Sequence, residues 1–421
     1  MSAPDLTAAP TTNGSAAPAP AGPAGPGSAA SGPDGALRRL AGAKSFQGSI
    51  TFVAFLAVFV VYSLWLGDKF LSTDARFLDI HQNAPVLILG LAVMGTLIAG
   101  QFDLSVGGMA TLTTFLAIGL KINQNWPFLL VIVACLLIGV VGGLINGLLV
   151  MRLKVNTFIA TLGTGGLFGG LASVYGHGTQ LSPKDDSPAL PGWFSGPSSI
   201  GAFGHKFPSF LLWIAAAAVA VGIFLALRRM RPATQAERTW DAISAGIVVV
   251  GALVLVALGL STWIGAASWT VGILLVVGLL VWVLFTKTTY GRYLHATGSN
   301  AEAARLAGVN PEKETIKAFV LGGLLAAFAG IVLAANQGSA APNAGTGFLL
   351  PAFAAAFLST VVLSTGRFTV WGALIGGTFL VWVSQGLIVG GLAFTYTDVV
   401  NGVVLVLAVA LSTTLGRRSR E

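Results

Sequence analysis

Apolar runs of the length needed to cross a bilayer, roughly 17 to 25 residues, follow one another through this chain. They fall at about 50–66, 84–100, 104–120, 128–150, 155–175, 208–227, 242–260, 267–285, 316–336, 350–364, 371–391 and 396–415. Within hydrocarbon every backbone N–H and C=O must be satisfied by the protein itself, which leaves helices or a closed barrel. These runs are too long and too continuously apolar for membrane strands. The expected fold is therefore all-α, a polytopic transmembrane helical bundle of about 10–12 spans. The runs at 104–120 and 350–364 are short or interrupted by Gly or Pro, so whether they cross fully stays open.

Only 9% of the residues are charged, against about a quarter in an ordinary soluble domain, which excludes that class. The single cysteine, Cys135, sits inside an apolar run and reads as helix packing. His81, His177, His205 and His295 are scattered without ligand spacing and read as solvated or interfacial, so neither metal nor cofactor is expected. The first 36 residues are Ala, Pro, Gly and Ser with few large apolar side chains. Burial cannot offset the entropy of ordering such a segment, and it lacks the basic and apolar regions of a signal peptide. The expected organisation is a disordered tail over 1–45, a membrane domain over 46–416 containing a polar loop at 286–315, and a short terminus over 417–421.

With the N-terminus inside, all but Lys69, Arg76, Lys121, Lys184 and Lys206 of the 23 basic residues fall in inner loops or termini. Basic loops stay on the cytoplasmic side during insertion, so this asymmetry places both termini in the cytoplasm. The net charge of +8 then reflects topology and attraction to anionic lipid rather than nucleic-acid binding.

Two sets of four segments, 84–100 through 155–175 and 316–336 through 396–415, begin on opposite sides and so run in opposite directions. In each set the first segment ends in a polar break containing glycine, "AGQFDLSVGG" (Ala99–Gly108) and "ANQGSAAPNAGTG" (Ala335–Gly347). Non-helical backbone at membrane depth persists only where protein or a water-filled cavity satisfies it, and paired breaks in inverted halves point to a transport path. Asp103, Ser105, Asn146, Asn156, Thr157, Asn343, Gly345 and Thr346 are the candidate residues of that path. Asp103 reads either as shaping it or as capping, with Ser105, the helix that starts near Leu104. Thr161 and Thr164 add hydroxyls on a flanking span. Glycines four residues apart, Gly139, Gly143 and Gly147, then Gly165 with Gly169, Gly166 with Gly170, and Gly372 with Gly376, read as close helix packing.

The stretch "GSNAEAARLAGVN" (Gly298–Asn310) is polar and helix-like between two apolar runs. Asn300 is a good N-cap, Glu302 suits the first turn, Gly308 suits the C′ position, and Pro311 prevents continuation. So short a helix persists only if something packs against it. No G-x-x-x-x-G-K-[ST] phosphate loop occurs anywhere. The chain therefore has no ATP site of that kind, and no hydrolytic constellation is apparent. Transport, with any ATP use supplied by another subunit, is the expected role.

Four segments taken in order resemble the ribose/xylose-type permeases of bacterial ATP-binding-cassette importers, within the branched-chain amino acid/monosaccharide permease family. They are "FDLSVGGMATL" (Phe102–Leu112), "VNTFIATLGTGGLFGGLASVYGHGT" (Val155–Thr179), "YGRYLHATGSNAEAARLAGVNPEKETIKAFVLGGLLAAFAGIV" (Tyr290–Val332) and "APNAGTGFLL" (Ala341–Leu350). The basic loop Arg228–Asp241 is similar to the longer xylose-type members. The resemblance implies a multi-pass permease of the bacterial inner membrane that pairs with a second permease copy, two cytoplasmic ATPase subunits and an extracytoplasmic sugar-binding protein. It also implies that Asn300, Ala301, Glu302, Ala303, Ala304, Arg305, Leu306, Ala307 and Gly308 form the helix that couples to the ATPase. Where many relatives carry "GG-x-S-x-x-GG", this chain has the bulkier "FLSTVVLSTGRFTVWG" (Phe357–Gly372) with Arg367, which reads as a second ATPase-facing turn. The alternative is a proton-coupled secondary transporter, for which only Asp103 is suitably placed.

Overall fold

A computed structural model describes residues 57–195, 268–362, 367–393 and 395–418. The tail, the spans expected at 208–227 and 242–260, the loop Arg228–Asp241 and His205 lie outside the described residues. Among the described residues the elements are helical: α1 (Ala57–Leu66), α2 (Asp68–Leu71), α3 (Thr73–Ile98), α4 (Val106–Ile122), α5 (Phe128–Met151), α6 (Thr157–Tyr175) and α7 (Gly192–Ser195). They continue with α8 (Trp269–Lys287), α9 (Thr289–Ser299), α10 (Ala301–Leu306), α11 (Pro311–Gln337), a 3₁₀ turn (Thr346–Phe348), α12 (Leu349–Val362), α13 (Val370–Val389) and α14 (Tyr396–Arg418).

The helices α3, α5, α6, α8, α11 and α13 are long and apolar enough to cross a membrane. The runs at 104–120 and 350–364 become the shorter helices α4 and α12, each following a break. A long helix, a break and a short helix thus occur twice, over Thr73–Ile122 and over Pro311–Val362.

Helices α3 and α11 form the centre, with 72% and 78% of their apolar windows buried, against 33% for α5 and 28% for α6. They are antiparallel. Asn336 Nδ2 donates to His81 O (2.9 Å), whereas a Cβ on Gly322 would lie 3.4 Å from Ala92 O. Around this pair α5 and α4 pack on α11, and α12 and α13 pack on α3. Small residues permit the approach. Gly139, Gly143 and Gly147 on one face of α5 meet Gly323, Phe319 and Ile316 of α11, and Gly372 and Gly376 bring α13 onto Ser359 and Leu358 of α12. Backbones that approach this closely gain dispersion contacts along their length, which lipid tails cannot better. Cys135 is buried on α5, its thiol 3.7 Å from Thr113 O. On α6 only Gly165 packs in this way, against Leu104 and Ser105. Gly166, Gly169 and Gly170 meet nothing within 4 Å among the described residues, so the expected packing of those glycines is not made there.

Helix α3 starts earlier than the apolar run at 84–100 indicates, because polar residues of its first turns pair within the protein. Arg76 pairs with Asp79 (3.0 Å) and lies 4.3 Å over the Phe70 ring, while Asn83 Nδ2 donates to Asp79 O (2.9 Å). His81 is buried, its Nδ1 2.8 Å from Ser268 Oγ, which corrects its reading as a solvated residue. His177 is exposed and His295 half-buried.

At the end of the bundle carrying Arg152, Lys287 and Arg305, the turns are tied together. Arg152 pairs with Glu312, and Thr157 Oγ1 donates to Gln101 Oε1. At the opposite end the segment after α6 bridges the second break through mutual Leu181 and Ala340 backbone bonds of 2.8 Å. There α7 seats Phe194 against Phe128, with ring centroids 4.5 Å apart.

Candidate functional site

The first break begins where α3 ends on Gly100, whose φ of +78° lets the chain reverse. Gln101 N–H donates to Thr96 O (2.9 Å) and Gly100 N–H to Leu97 O (3.0 Å), closing the helix end. Asp103 and Ser105 follow, 1% and 3% exposed. Asp103 Oδ1 accepts the Ser105 N–H (2.9 Å) and the Ser105 hydroxyl (2.6 Å). The network then leaves the break, as Asn146 Nδ2 on α5 donates to Ser105 Oγ (2.7 Å) and Thr164 Oγ1 on α6 donates to Asn146 Oδ1 (2.6 Å). Four polar side chains from the break and two helices therefore form one chain of hydrogen bonds in a place closed to solvent. Asp103 Oδ2 has no hydrogen-bond partner among the described residues. The carboxylate holds an N–H just ahead of a helix, as a cap does, but α4 starts at Val106 rather than near Leu104.

The second break enters from the opposite end and meets the first. Gly345 N–H donates to Thr111 Oγ1 on α4 (3.0 Å), and a Cβ on Gly107 would lie 3.0 Å from Gly345 O. Asn343 takes a φ of +61°, and its carbonyl accepts from Thr346 N–H (3.0 Å) and Oγ1 (2.7 Å). Asn343 and Thr346 are exposed, while Gly345 is buried. From the first break Phe102 reaches across to α12, stacking on Phe353 at 6.2 Å between centroids. Of the candidate path residues, Asp103, Ser105 and Asn146 form one buried cluster, with Thr164. Thr157 binds the break through Gln101, and Asn156 caps α6 by accepting from Phe158 N–H (2.9 Å). Gln101, Phe102 and Thr111 belong to the same junction. The polarity of Gln101 inside a break was a usable signal for it, whereas nothing local marks Thr111.

The segment Asn300–Gly308 folds as its sequence expects. Asn300 Oδ1 accepts from Ala303 N–H (3.0 Å), Gly308 takes a φ of +84°, and Val309 N–H returns to Ala304 O (3.0 Å) while Gly308 N–H returns to Arg305 O (3.0 Å). Pro311 opens α11, with Asn310 Oδ1 accepting from Lys313 N–H (3.1 Å). Only Ala304 of α10 faces the protein. Ala301, Ala303 and Ala307 are exposed, Glu302 and Arg305 pair at 3.2 Å, and Leu306 is 84% exposed. Beside α10, burial and then the nearby Arg367 guanidinium push the His295 imidazole below its ordinary range. Arg367 therefore lies within electrostatic reach of His295 on α9.

Two breaks packed on each other within inverted helical halves, beside a capped helix presenting an apolar side chain to solvent, define a membrane transport permease. The chain belongs to the family described as the branched-chain amino acid transport system/permease component, whose model matches residues 80–232 and 234–409. It is similar to the xylose transport system permease protein XylH of Escherichia coli (strain K12), 30% identical over 387 residues that cover 90% of this chain and 95% of that protein. It is also similar to the ribose import permease protein RbsC of the same strain, 29% identical over 85% of this chain and 91% of that protein. The fructose import permease protein FrcC of Rhizobium meliloti is 27% identical over 87% of this chain and 85% of its own length. No solved structure matches.

Proposed function

We infer that this chain is the permease subunit of an ATP-driven importer of a monosaccharide, xylose-like or ribose-like. Xylose, ribose and fructose permeases are among the relatives that resemble it over most of their length. The observation that carries the coupling assignment is Leu306. A leucine 84% exposed on a helix fixed by caps at both ends leaves an apolar side chain in solvent beside an oriented ion pair, as a docking surface requires. The residues Asn300–Gly308 then seat on a cytoplasmic ATPase that hydrolyses ATP. The turn carrying Arg367 contributes a second contact to the same subunit. This reading places the end bearing Arg152, Lys287 and Arg305 in the cytoplasm with both chain termini, in accord with the distribution of basic residues. The opposite end receives sugar from an extracytoplasmic binding protein.

A second copy of the permease completes the assembly. The face of α6 on which Gly166 and Gly170 meet nothing among the described residues, flanked by exposed Leu162 and Leu167, supports that contact, since small residues favour helix association in lipid. Asp103, Ser105, Asn146, Asn156, Thr157, Asn343, Gly345 and Thr346 shape the pathway at the junction of the breaks, and nucleotide-driven movement of α10 rearranges it. Recovery of an ATPase with the wild-type chain, and its loss on Leu306→Asp, tests the assignment.

A further inference from the structure

Gly298 lies in the last turn of α9, and its backbone rests on the end of α3. A Cβ at this position would overlap the carbonyl oxygen of Ile98, lie 2.9 Å from the Ile98 carbonyl carbon and 3.6 Å from Ala99 Cα. Gly298 is otherwise open to solvent and lies in helical backbone. Neither burial nor a left-handed φ accounts for glycine there, and glycine weakens a helix. What excludes a side chain is the Ile98 carbonyl, one of those that a helix end leaves without an intrahelical donor.

Both neighbours of this contact are stiff. On one side α9 joins α10 through the single residue Asn300, whose N–H donates to Ala296 O (3.1 Å) and whose side chain caps Ala303 (3.0 Å). On the other side Ile98 is the last residue before the first break. Within seven residues of it the chain is held to α6 through Gln101 and Thr157, to α12 through Phe102 and Phe353, and to α5 through Asp103, Ser105 and Asn146. A displacement of α10 has a backbone-to-backbone route of two contacts into the junction of the breaks.

We propose that Gly298 is the transmission residue of this permease: α9 bears on Ile98 through it, so that α9, α10 and the break 99–105 move as one body. The inference rests on α10 as the ATPase-docking helix. It goes beyond that assignment by naming where motion enters the membrane domain and why no side chain is tolerated there.

The test is pulsed electron paramagnetic resonance on the full chain reconstituted with its co-purifying ATPase, without nucleotide and with ATP plus vanadate. Spin labels are placed in pairs at Glu302→Cys with Leu144→Cys, Phe102→Cys with Leu144→Cys, and Glu302→Cys with Phe102→Cys. The expected result is that nucleotide shifts the first two distances and leaves the third unchanged. In the Gly298→Ala background, the Phe102 to Leu144 shift is mostly lost while the Glu302 to Leu144 shift persists. Should Gly298→Ala fail to fold, the three distances in the glycine chain decide alone: a third distance that changes as much as the first overturns the proposal. Retention of the Phe102 response in a folded Gly298→Ala chain also overturns it. Absence of any nucleotide response at Glu302, with no ATPase recovered, instead removes the docking assignment on which the inference rests.

Discussion

Gly345 donates its backbone N–H to the hydroxyl of Thr111 at 3.0 Å, across 234 positions of sequence. Through this bond the second break is fastened to the helix that follows the first. The same hydroxyl donates to Gly107 O (3.0 Å), so it serves both halves of the molecule at once.

Replacing Thr111 by Val keeps the volume and deletes both bonds, leaving the buried Gly345 N–H unpaired. The expected cost is about 1–3 kcal/mol, read as a fall in melting temperature of the detergent-solubilised chain. Thr111→Ser preserves the hydroxyl and should melt close to the wild type. Equal melting of Thr111→Val and Thr111→Ser would show that the junction does not depend on this bond.

Leu306→Asp, alone or with Ala303→Asp, puts charge on an exposed surface, so the melting temperature should stay near that of the wild type, within the roughly 0.5 kcal/mol typical of surface changes. ATPase association should be lost. Pull-down with the purified ATPase reads the one, and thermal melting reads the other. Stoichiometric association of the variant would remove α10 as the docking helix.

Asp103 is 1% exposed and spends Oδ1 on Ser105. Asp103→Asn retains an acceptor for both of those bonds and should keep sugar uptake. Asp103→Ala strands the Ser105 N–H and should destabilise by about 1–3 kcal/mol. A proton-coupled transporter predicts the reverse for the amide: folded protein, no uptake, and no response to a proton gradient.

His295 gives the end of the bundle bearing α9 a pH dependence. Burial first, and Arg367 second, lower its affinity for a proton in the folded protein, while the unfolded chain titrates near the ordinary value of about 6.5. The unfolded state therefore binds more protons, and stability rises with pH through this window. The contribution is complete above about 6.5 and is lost as pH falls toward the depressed folded value. Melting at pH 7.5 and 5.5 should differ less in His295→Gln than in the wild type. Arg367→Gln should also narrow the difference, and an unchanged difference in both would separate His295 from any acid sensitivity.

What was legible in the sequence was legible for local reasons. Asn300, Gly308 and Pro311 delimit α10 because caps act over three or four residues, and the breaks stand out because polar residues and glycine interrupt apolar runs. Both features need only a short window. The contacts that make a site of them do not: Thr111 meets Gly345, and Gly298 meets Ile98, only after α3 and α11 have packed antiparallel. Partners for polar side chains, one local and one distant, also hid the start of α3. Arg76, Asp79 and His81 look like loop residues in a hydropathy profile, yet one pairs with another and the third bonds Ser268 from a segment 187 positions away. The open glycines of α6 mislead in the opposite way, since small residues announce close packing without saying whether the partner is in the same chain.

The central claim, that α10 couples this permease to an ATPase, is tested most directly by purifying the tagged chain from its native host in mild detergent and identifying what accompanies it. The account predicts a P-loop ATPase in stoichiometric amount with the wild type and none with Leu306→Asp. Wild-type permease that folds, transports sugar on a proton gradient and brings no ATPase under several detergents would contradict it.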